Sequence, residues 1–166
     1  GVVRALVKKS AREEGVIQEL CLQVLYHTLK SHGEAALVEA QDQGATNLCV
    51  SLMTGGTNSP RVKELAAKNL TLLCFSTQAK MKVIELGAIK DVCGLLAHAS
   101  YAVRAAAAGA LMGVTTEKAA KVQVIEHQFE LCHPGLPVPT STLREGRSAG
   151  EDGTPPSLRR RWASER

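Results

Sequence analysis

The sequence predicts an all-α solenoid of about three helical repeats, and three observations lead to that fold class. A segment occurs twice, because residues 44–86 and 87–127 both begin with Gly-Ala and both approach their ends through Val-Ile-Glu. Repeat units of 41 to 43 residues are typical of solenoids with two or three helices per repeat. The chain is 45% hydrophobic but only 3% aromatic, and its alanines and leucines favour helix over sheet. No run of alternating polarity bounded by hairpin turns argues for strands.

The repeat can be followed position by position. Val62 precedes Leu70 by the same spacing that separates Val103 from Leu111. The first third of the chain fits this template less closely, and the length difference between the later copies falls in the loop 54–60. Insertions between helices are tolerated in repeat proteins. We therefore predict helical repeats over residues 1–127, divided into copies 1–43, 44–86 and 87–127.

Local signals place the first helices. Ser10 and Glu13 have the spacing of a capping box, which predicts that a helix begins there. Apolar residues three and four positions apart then predict the buried face of this helix; they are Ile17, Leu20, Cys21, Val24, Leu25 and Leu29. Ser59 and Pro60 are a cap residue and a first-turn proline, so a second helix is expected over about 60–76.

Glycines mark the later elements. Gly44 and Gly87 follow apolar helix ends, where a left-handed cap favours glycine. Helices are expected near 89–97 and 101–114. Gly109 and Gly113 fall inside the last of these, and we interpret them as sites of close helix packing rather than as a hinge.

The two ends of the chain differ from the repeats. Residue 1 lies inside what reads as a running repeat, so we expect the chain to be a fragment of a longer protein. Residues 128–166 are rich in proline, glycine and arginine and carry no helical face, which predicts a disordered tail. An alternative or mispredicted C-terminus would also explain this abrupt change of composition.

A family resemblance is carried by residues 87–96, 103–104 and 107–111, which resemble an armadillo repeat. That unit has three helices, and the last lines a concave groove. The resemblance implies an armadillo/HEAT-type right-handed superhelical solenoid over residues 1–127. Shorter segments, at 6–9, 13–19 and 107–117, resemble the armadillo proteins of the radial spoke in motile cilia. This closer resemblance implies partners among axonemal or radial-spoke components.

The peptide-binding importin-alpha type of armadillo protein supplies a test of the groove. Its third helices carry a tryptophan and an asparagine that clamp a basic peptide. In this chain Gln23, Lys68 and Gly109 occupy the tryptophan position, and the asparagine position is filled by His27, Leu72 and Gly113. Cargo binding in that style is therefore not expected. By position alone, we predict a partner-binding face that comprises Gln23, His27, Lys68, Leu72 and Gly113.

Other classes of function find little support in the sequence. The five cysteines include no CxxC pair, and no nucleophile elbow, zinc-binding helix, phosphate loop or dinucleotide fingerprint occurs. We therefore expect no catalytic, metal or cofactor site and no small-molecule substrate. The net charge of +4 is spread without a basic stripe, so nucleic acid is not an expected partner. No apolar run approaches the length of a membrane span, and cysteine usage suits a reducing, cytoplasmic compartment.

The resulting expectation is a non-catalytic protein–protein interaction scaffold. By resemblance, it would be a structural component of the ciliary or flagellar axoneme. The alternative is a soluble peptide-binding adaptor or transport receptor of armadillo type. Restriction to ciliated cells and sperm would favour the scaffold over the adaptor.

Overall fold

The structure is a computed structural model that describes residues 1–132 and 134. This part of the chain is helical and contains no strand. It forms eight α-helices, which are α1 (Val2–Arg12), α2 (Gly15–Asp42), α3 (Ala45–Thr54), α4 (Pro60–Leu73), α5 (Thr77–Glu85), α6 (Ile89–Leu95), α7 (Tyr101–Val114) and α8 (Lys118–Cys132). Residues Gly1–His127 form one compact unit, and the described residues after His127 fall outside it. The all-α prediction is confirmed for the described residues.

Three long helices form one layer of this compact unit. α2 packs against α4, and α4 packs against α7, so the three lie side by side in chain order. A shorter helix backs each of them: α1 lies on α2, α3 on α4 and α6 on α7. This repeated pairing is compatible with an α-solenoid, in which each unit buries its apolar side against its neighbours.

A three-helix order occurs twice along the chain. Gly33 has φ 58° and ψ −138°, which breaks α2 into residues 15–32 and 34–42. The second half of α2, then α3, then α4 form the first set, and α5, α6 and α7 form the second. Gly44 and Gly87 both have the predicted left-handed conformation, with φ values of 75° and 65°. Each lies between the first and second helices of its set.

The predicted start of α4 is also confirmed. Ser59 has an extended backbone, and its hydroxyl oxygen accepts a hydrogen bond from the Val62 amide at 3.2 Å. Pro60 occupies the first helical position, where its missing N–H costs nothing. Asn58 secures the preceding loop, since its side-chain amide donates to the Leu52 carbonyl at 2.8 Å.

The core between the long helices is aliphatic, with one polar bridge. Leu22, Leu25 and Leu70 are fully buried where α2 meets α4. The buried side chain of Asn69 donates two hydrogen bonds of 2.9 Å, one to the Leu22 carbonyl of α2 and one to the Leu65 carbonyl of α4. A single amide therefore ties the two helices together within an apolar contact.

The capping box predicted at Ser10 is wrong. Ser10 lies inside α1 and is buried with Val3 and Val7 on one face of that helix. The residue before α2 is Glu14, which makes no side-chain cap. Burial of this face against α2 and α3 extends α1 through the capping signal, because packing usually outweighs local preference in short helices. Gln18 then joins the two helices by donating to the Ser10 carbonyl at 3.0 Å.

The predicted apolar face of α2 is only partly correct. Ile17, Leu20 and Val24 are exposed, whereas the helix buries Gln18, Cys21, Leu22, Leu25 and Leu29. The sequence offers two apolar stripes that overlap, and spacing alone does not choose between them. The structure buries the stripe that faces α1 and α4.

The C-terminal boundary also differs from the prediction. α8 continues to Cys132, so residues 128–132 are helical, although the tail was expected to begin at residue 128. The remainder of the predicted tail, apart from residue 134, lies outside the described residues.

Replacing Gly33 with alanine tests the break in α2. Gly33 is exposed and a Cβ there would meet no atom within 4 Å, so the substitution acts through the backbone alone. We expect a loss of about 1–3 kcal/mol in the free energy of unfolding, the usual cost of a strained φ/ψ pair. Urea denaturation measures it.

Gly94→Ala is the matched control. Gly94 is also exposed and uncrowded, but it lies in α6 without a positive φ. This variant should be stabilised by up to about 1 kcal/mol, because alanine is the better helix former. Equal changes in both variants would contradict the role assigned to Gly33.

Candidate protein-binding groove

Two adjoining hollows lie between α4 and α7. The first has a volume of about 430 Å³ and the second about 250 Å³. Thr71 and Gly109 line both, so the hollows form one continuous depression, called here the α4–α7 groove. The first hollow uses the earlier residues of both helices and the second uses the later ones, from which it follows that α4 and α7 run parallel.

Small residues form the floor of the groove. A Cβ on Gly109 would lie 3.3 Å from the Thr71 hydroxyl oxygen, and one on Gly113 would lie 3.1 Å from the Cβ of Cys74. Both distances are shorter than ordinary van der Waals contact. The interpretation of these glycines as sites of close helix packing is thereby confirmed.

Large side chains border this floor. Phe75, Tyr101 and Met112 are 76%, 77% and 71% exposed, and all three line the groove. Tyr26 of α2 also contributes to the first hollow. The chain has two tyrosines, two phenylalanines and one tryptophan, so three of its five aromatic residues border this groove. Exposed aromatic and methionine side chains are enriched at protein interfaces.

An ion-pair cluster lies at the first hollow. The Glu64 side chain is only 9% exposed and pairs with Lys68 and, at 2.9 Å, with Arg61; these cations are 43% and 45% exposed. Burial acts to raise the pKa of Glu64, but hydrogen bonds from Lys68 and Arg61 outweigh it and hold the pKa below its ordinary value. The carboxylate is therefore ionised and lies beneath its two cations, so the cations dominate the surface.

The groove contains three of the five predicted face residues. Lys68 and Leu72 line the first hollow, and Gly113 lines the second. Gln23 and His27 are exposed on α2 but line neither hollow. The α2 residue that reaches the groove is Tyr26, whose ring meets that of His27 edge-on at 5.6 Å.

The bordering aromatic residues were missed by the sequence reasoning. Tyr101 immediately follows the cap of α7 and Phe75 comes just after α4, so neither belongs to the repeating apolar pattern. Their scarcity in the composition was the available signal. An aromatic residue outside the buried stripe of an aromatic-poor chain has no role in the core and is a candidate for contact.

A third hollow lies away from this groove. It has a volume of about 380 Å³ and is lined by residues at the end of α2, the start of α3 and along α5. Its lining is more polar and includes Gln41, Asn47, Gln78 and the ion-paired Lys82 and Glu85. No large exposed aromatic residue borders it, so the α4–α7 groove is the stronger candidate for a docking surface.

Two buried cysteines, Cys49 and Cys74, lie where burial suppresses the thiolate. Burial raises the pKa of Cys49 and of Cys74 to about 12, so both thiols stay protonated at neutral pH. Within residues 1–132 and 134, no three histidine, cysteine or acidic side chains are grouped so as to bind a metal. None of the helices described combines the length and apolarity needed to cross a bilayer.

Comparison with known proteins gives structural likeness only. No protein-family model and no curated protein matches the sequence. Three similar crystal structures are engineered proteins of the Northeast Structural Genomics Consortium. They share 25%, 22% and 20% identity with this chain, cover 76%, 76% and 80% of it, and have TM-scores of 0.67, 0.68 and 0.67. The chain spans about half of the first two proteins and a third of the last, at 52%, 51% and 34%.

Gly113→Val tests the close contact beneath the groove. The new side chain would press on Cys74, and overpacking of this kind costs about 1–3 kcal/mol of unfolding free energy. Ala108→Val is the matched control, because Ala108 is exposed on the same helix and lines neither hollow. Thermal or urea unfolding should show the larger loss for the first variant and a loss of no more than about 0.7 kcal/mol for the second, which is the helix-propensity difference between alanine and valine. Similar small changes in both would contradict the close packing.

Thiol labelling tests the state of the cysteines. With iodoacetamide at pH 8, we expect the exposed Cys132 to be alkylated quickly, and Cys49 and Cys74 only after urea unfolds the chain. The reason is that the thiolate is the nucleophile. Burial keeps the thiols of Cys49 and Cys74 protonated and also shields them from the reagent. Peptide mass spectrometry reports each site. Rapid native labelling of Cys49 would contradict the buried position assigned to it.

Proposed function

We propose that the chain is an armadillo/HEAT-type right-handed superhelical solenoid that acts as a non-catalytic protein–protein interaction scaffold. The observation that carries the proposal is the α4–α7 groove, an open surface with three exposed large side chains at its border. Solenoids bind partners on such lateral surfaces. Large exposed apolar side chains gathered in one place are typical of interaction sites.

The armadillo type is supported by two features. The order of two shorter helices followed by a long one occurs twice. The sequence around α6 and α7 has the residues that resemble an armadillo repeat. The similar crystal structures are engineered proteins and add support for the fold alone.

The binding mode differs from that of the importin-alpha type. No asparagine or glutamine lines either hollow of the groove, so no side-chain amide can bond an extended peptide backbone. Affinity must come from apolar side chains that enter between Tyr101, Leu72 and Met112. This chemistry favours a folded or helical partner in a permanent assembly over transient capture of basic peptides.

The ciliary assignment depends on sequence resemblance. The segments at 6–9, 13–19 and 107–117 resemble the radial spoke head 14 homolog, also called the rhabdoid tumour deletion region protein. We propose on this basis a structural role in the ciliary or flagellar axoneme, with axonemal or radial-spoke components as partners. The protein would then lie in the cytoplasmic space of the cilium.

Detergent extraction of ciliated cells tests this function. A tagged copy of the chain should remain with the axoneme after membranes are removed, and cross-linking should join it to identified spoke components. Ala105→Glu should release it, because Ala105 is exposed in the groove and a charge there opposes apolar docking.

Ala108→Glu controls for the added charge. Ala108 is also exposed on α7 but lies outside the groove, so this variant should stay bound. A fully soluble protein that cross-links to importins or cargo peptides would favour the peptide-binding adaptor. Retention of both variants would contradict the groove as the docking site.

A further inference from the structure

We propose that the α4–α7 groove takes an amphipathic α-helix of a partner protein, with acidic residues at the end of that helix nearest Lys68. This inference depends on the proposed scaffold function and specifies the partner element. Three properties of the groove carry it: its direction, the chemistry of its lining and its uneven charge.

The direction of the groove suits a helix. The depression follows the two parallel helices from Tyr101 to Thr116 rather than crossing them. At 1.5 Å per residue this path is about 22 Å long, which matches about four turns of helix. A helix that lies between two others packs its apolar ridge into the groove they form.

The apolar floor of the groove disfavours recognition of an extended backbone. The polar side chains of the first hollow lie at its border, and they are Tyr26, Glu64, Lys68 and Tyr101. Between them the hollow presents alanine, glycine and leucine, and the hydroxyl of Thr71 already donates to the Ala67 carbonyl at 2.9 Å. An extended peptide would leave its buried N–H and C=O groups unsatisfied against such a surface. A helix satisfies these groups internally and needs to offer only an apolar face.

The charge of the groove is uneven along its length. At the first hollow, Arg61 and Lys68 share the single buried carboxylate of Glu64, and Arg104 lies 5.6 Å from the Tyr101 ring. At the other end, Lys80 is matched by Glu117 at 3.4 Å. With Glu19, which accepts a hydrogen bond from Ser59 at the start of α4, the first end has three cations against two carboxylates and remains net positive, and the second end is balanced.

The helix dipoles reinforce this difference. Because α4 and α7 run parallel, both N-termini lie towards the positive end. Neither helix has an acidic residue in its own first turn. The Glu19 carboxylate of α2 accepts a hydrogen bond of 2.9 Å from Ser59, the cap of α4, so it offsets part of the charge at α4 and leaves that at α7. Carboxylates on the partner at this end would meet favourable charge from the excess cation and from the N-terminus of α7.

Fluorescence anisotropy with labelled peptides tests the proposal on the full chain. The panel comprises peptides of about 15 residues with leucines at helical spacing, which carry glutamates, glutamines or lysines at one end. A scrambled peptide of the acidic composition, without the apolar face, is included. We expect saturable binding in the order acidic, neutral, basic, with about tenfold between the extremes and a smaller difference at high salt. No measurable binding is expected for the scrambled peptide.

Variants locate the binding. Ala105→Glu should weaken binding of the acidic peptide at least about tenfold, whereas Ala108→Glu should leave it unchanged. Lys68→Gln should weaken binding of the acidic peptide about threefold and leave binding of the neutral peptide unchanged. Lys82→Gln is the matched control, since Lys82 also pairs with a glutamate of its own helix but lies on α5.

The outcomes separate this inference from the proposed function. The helix proposal is overturned if the scrambled peptide binds equally, if the basic peptide binds best, or if no peptide in the panel binds. If the helix proposal fails but the chain stays with the axoneme and Ala105→Glu releases it, the scaffold function still stands. Peptide binding as expected, together with axonemal retention of Ala105→Glu, would support the helix site and refute the axonemal use of it.

Discussion

The close approach of α7 to α4 is the constraint on which the rest of the structure depends. Two packed helices come as near as the side chains between them allow. Gly109 and Gly113 place no side chain against Thr71 and Cys74, so the backbones of α4 and α7 come close along much of their length. The same lack of side chains leaves the surface above the contact open. Packing and groove therefore have one cause, and a change that loosens one alters the other.

The groove arises from a difference between copies of the repeat rather than from the repeat itself. α4 and α7 have the same length and align with a constant offset, so that Lys68 corresponds to Gly109 and Leu72 to Gly113. One copy presents a long cation and a leucine, and the next presents bare backbone. Neighbouring helices with equal side chains would have formed an even surface. The difference between the copies gives an apolar channel with charge at one end, so the two ends of the groove are chemically distinct.

The sequence predicted those features that depend on local chemistry. The cap at Ser59, the left-handed Gly44 and Gly87 and the repeat of long helices follow from residues near in sequence. The apolar stripe of α2 was misjudged, because α1 and α4 decide which of two stripes is buried. The same limit applies to the groove. The alignment of the copies identified Lys68, Leu72 and Gly113. The exposure of Phe75, Tyr101 and Met112 depends instead on how α4 and α7 pack against each other, which the spacing of residues does not reveal.

Glu64 links the core of α4 to its surface. A carboxylate as buried as that of Glu64 costs free energy unless cations pair with it. Arg61 pairs with it from the preceding turn of α4, and Lys68 from the following turn. Glu64 also restricts the flexible side chains of Arg61 and Lys68, which would otherwise lose conformational entropy when a partner binds. The cations are thus held in place before binding, while most of each remains in solvent. A surface charge organised in this way contributes more to the orientation of an incoming helix than to its affinity, because exposed pairs add little energy but oppose a reversed charge. The apolar floor then supplies the affinity, and the cluster at Glu64 sets the direction in which the partner lies.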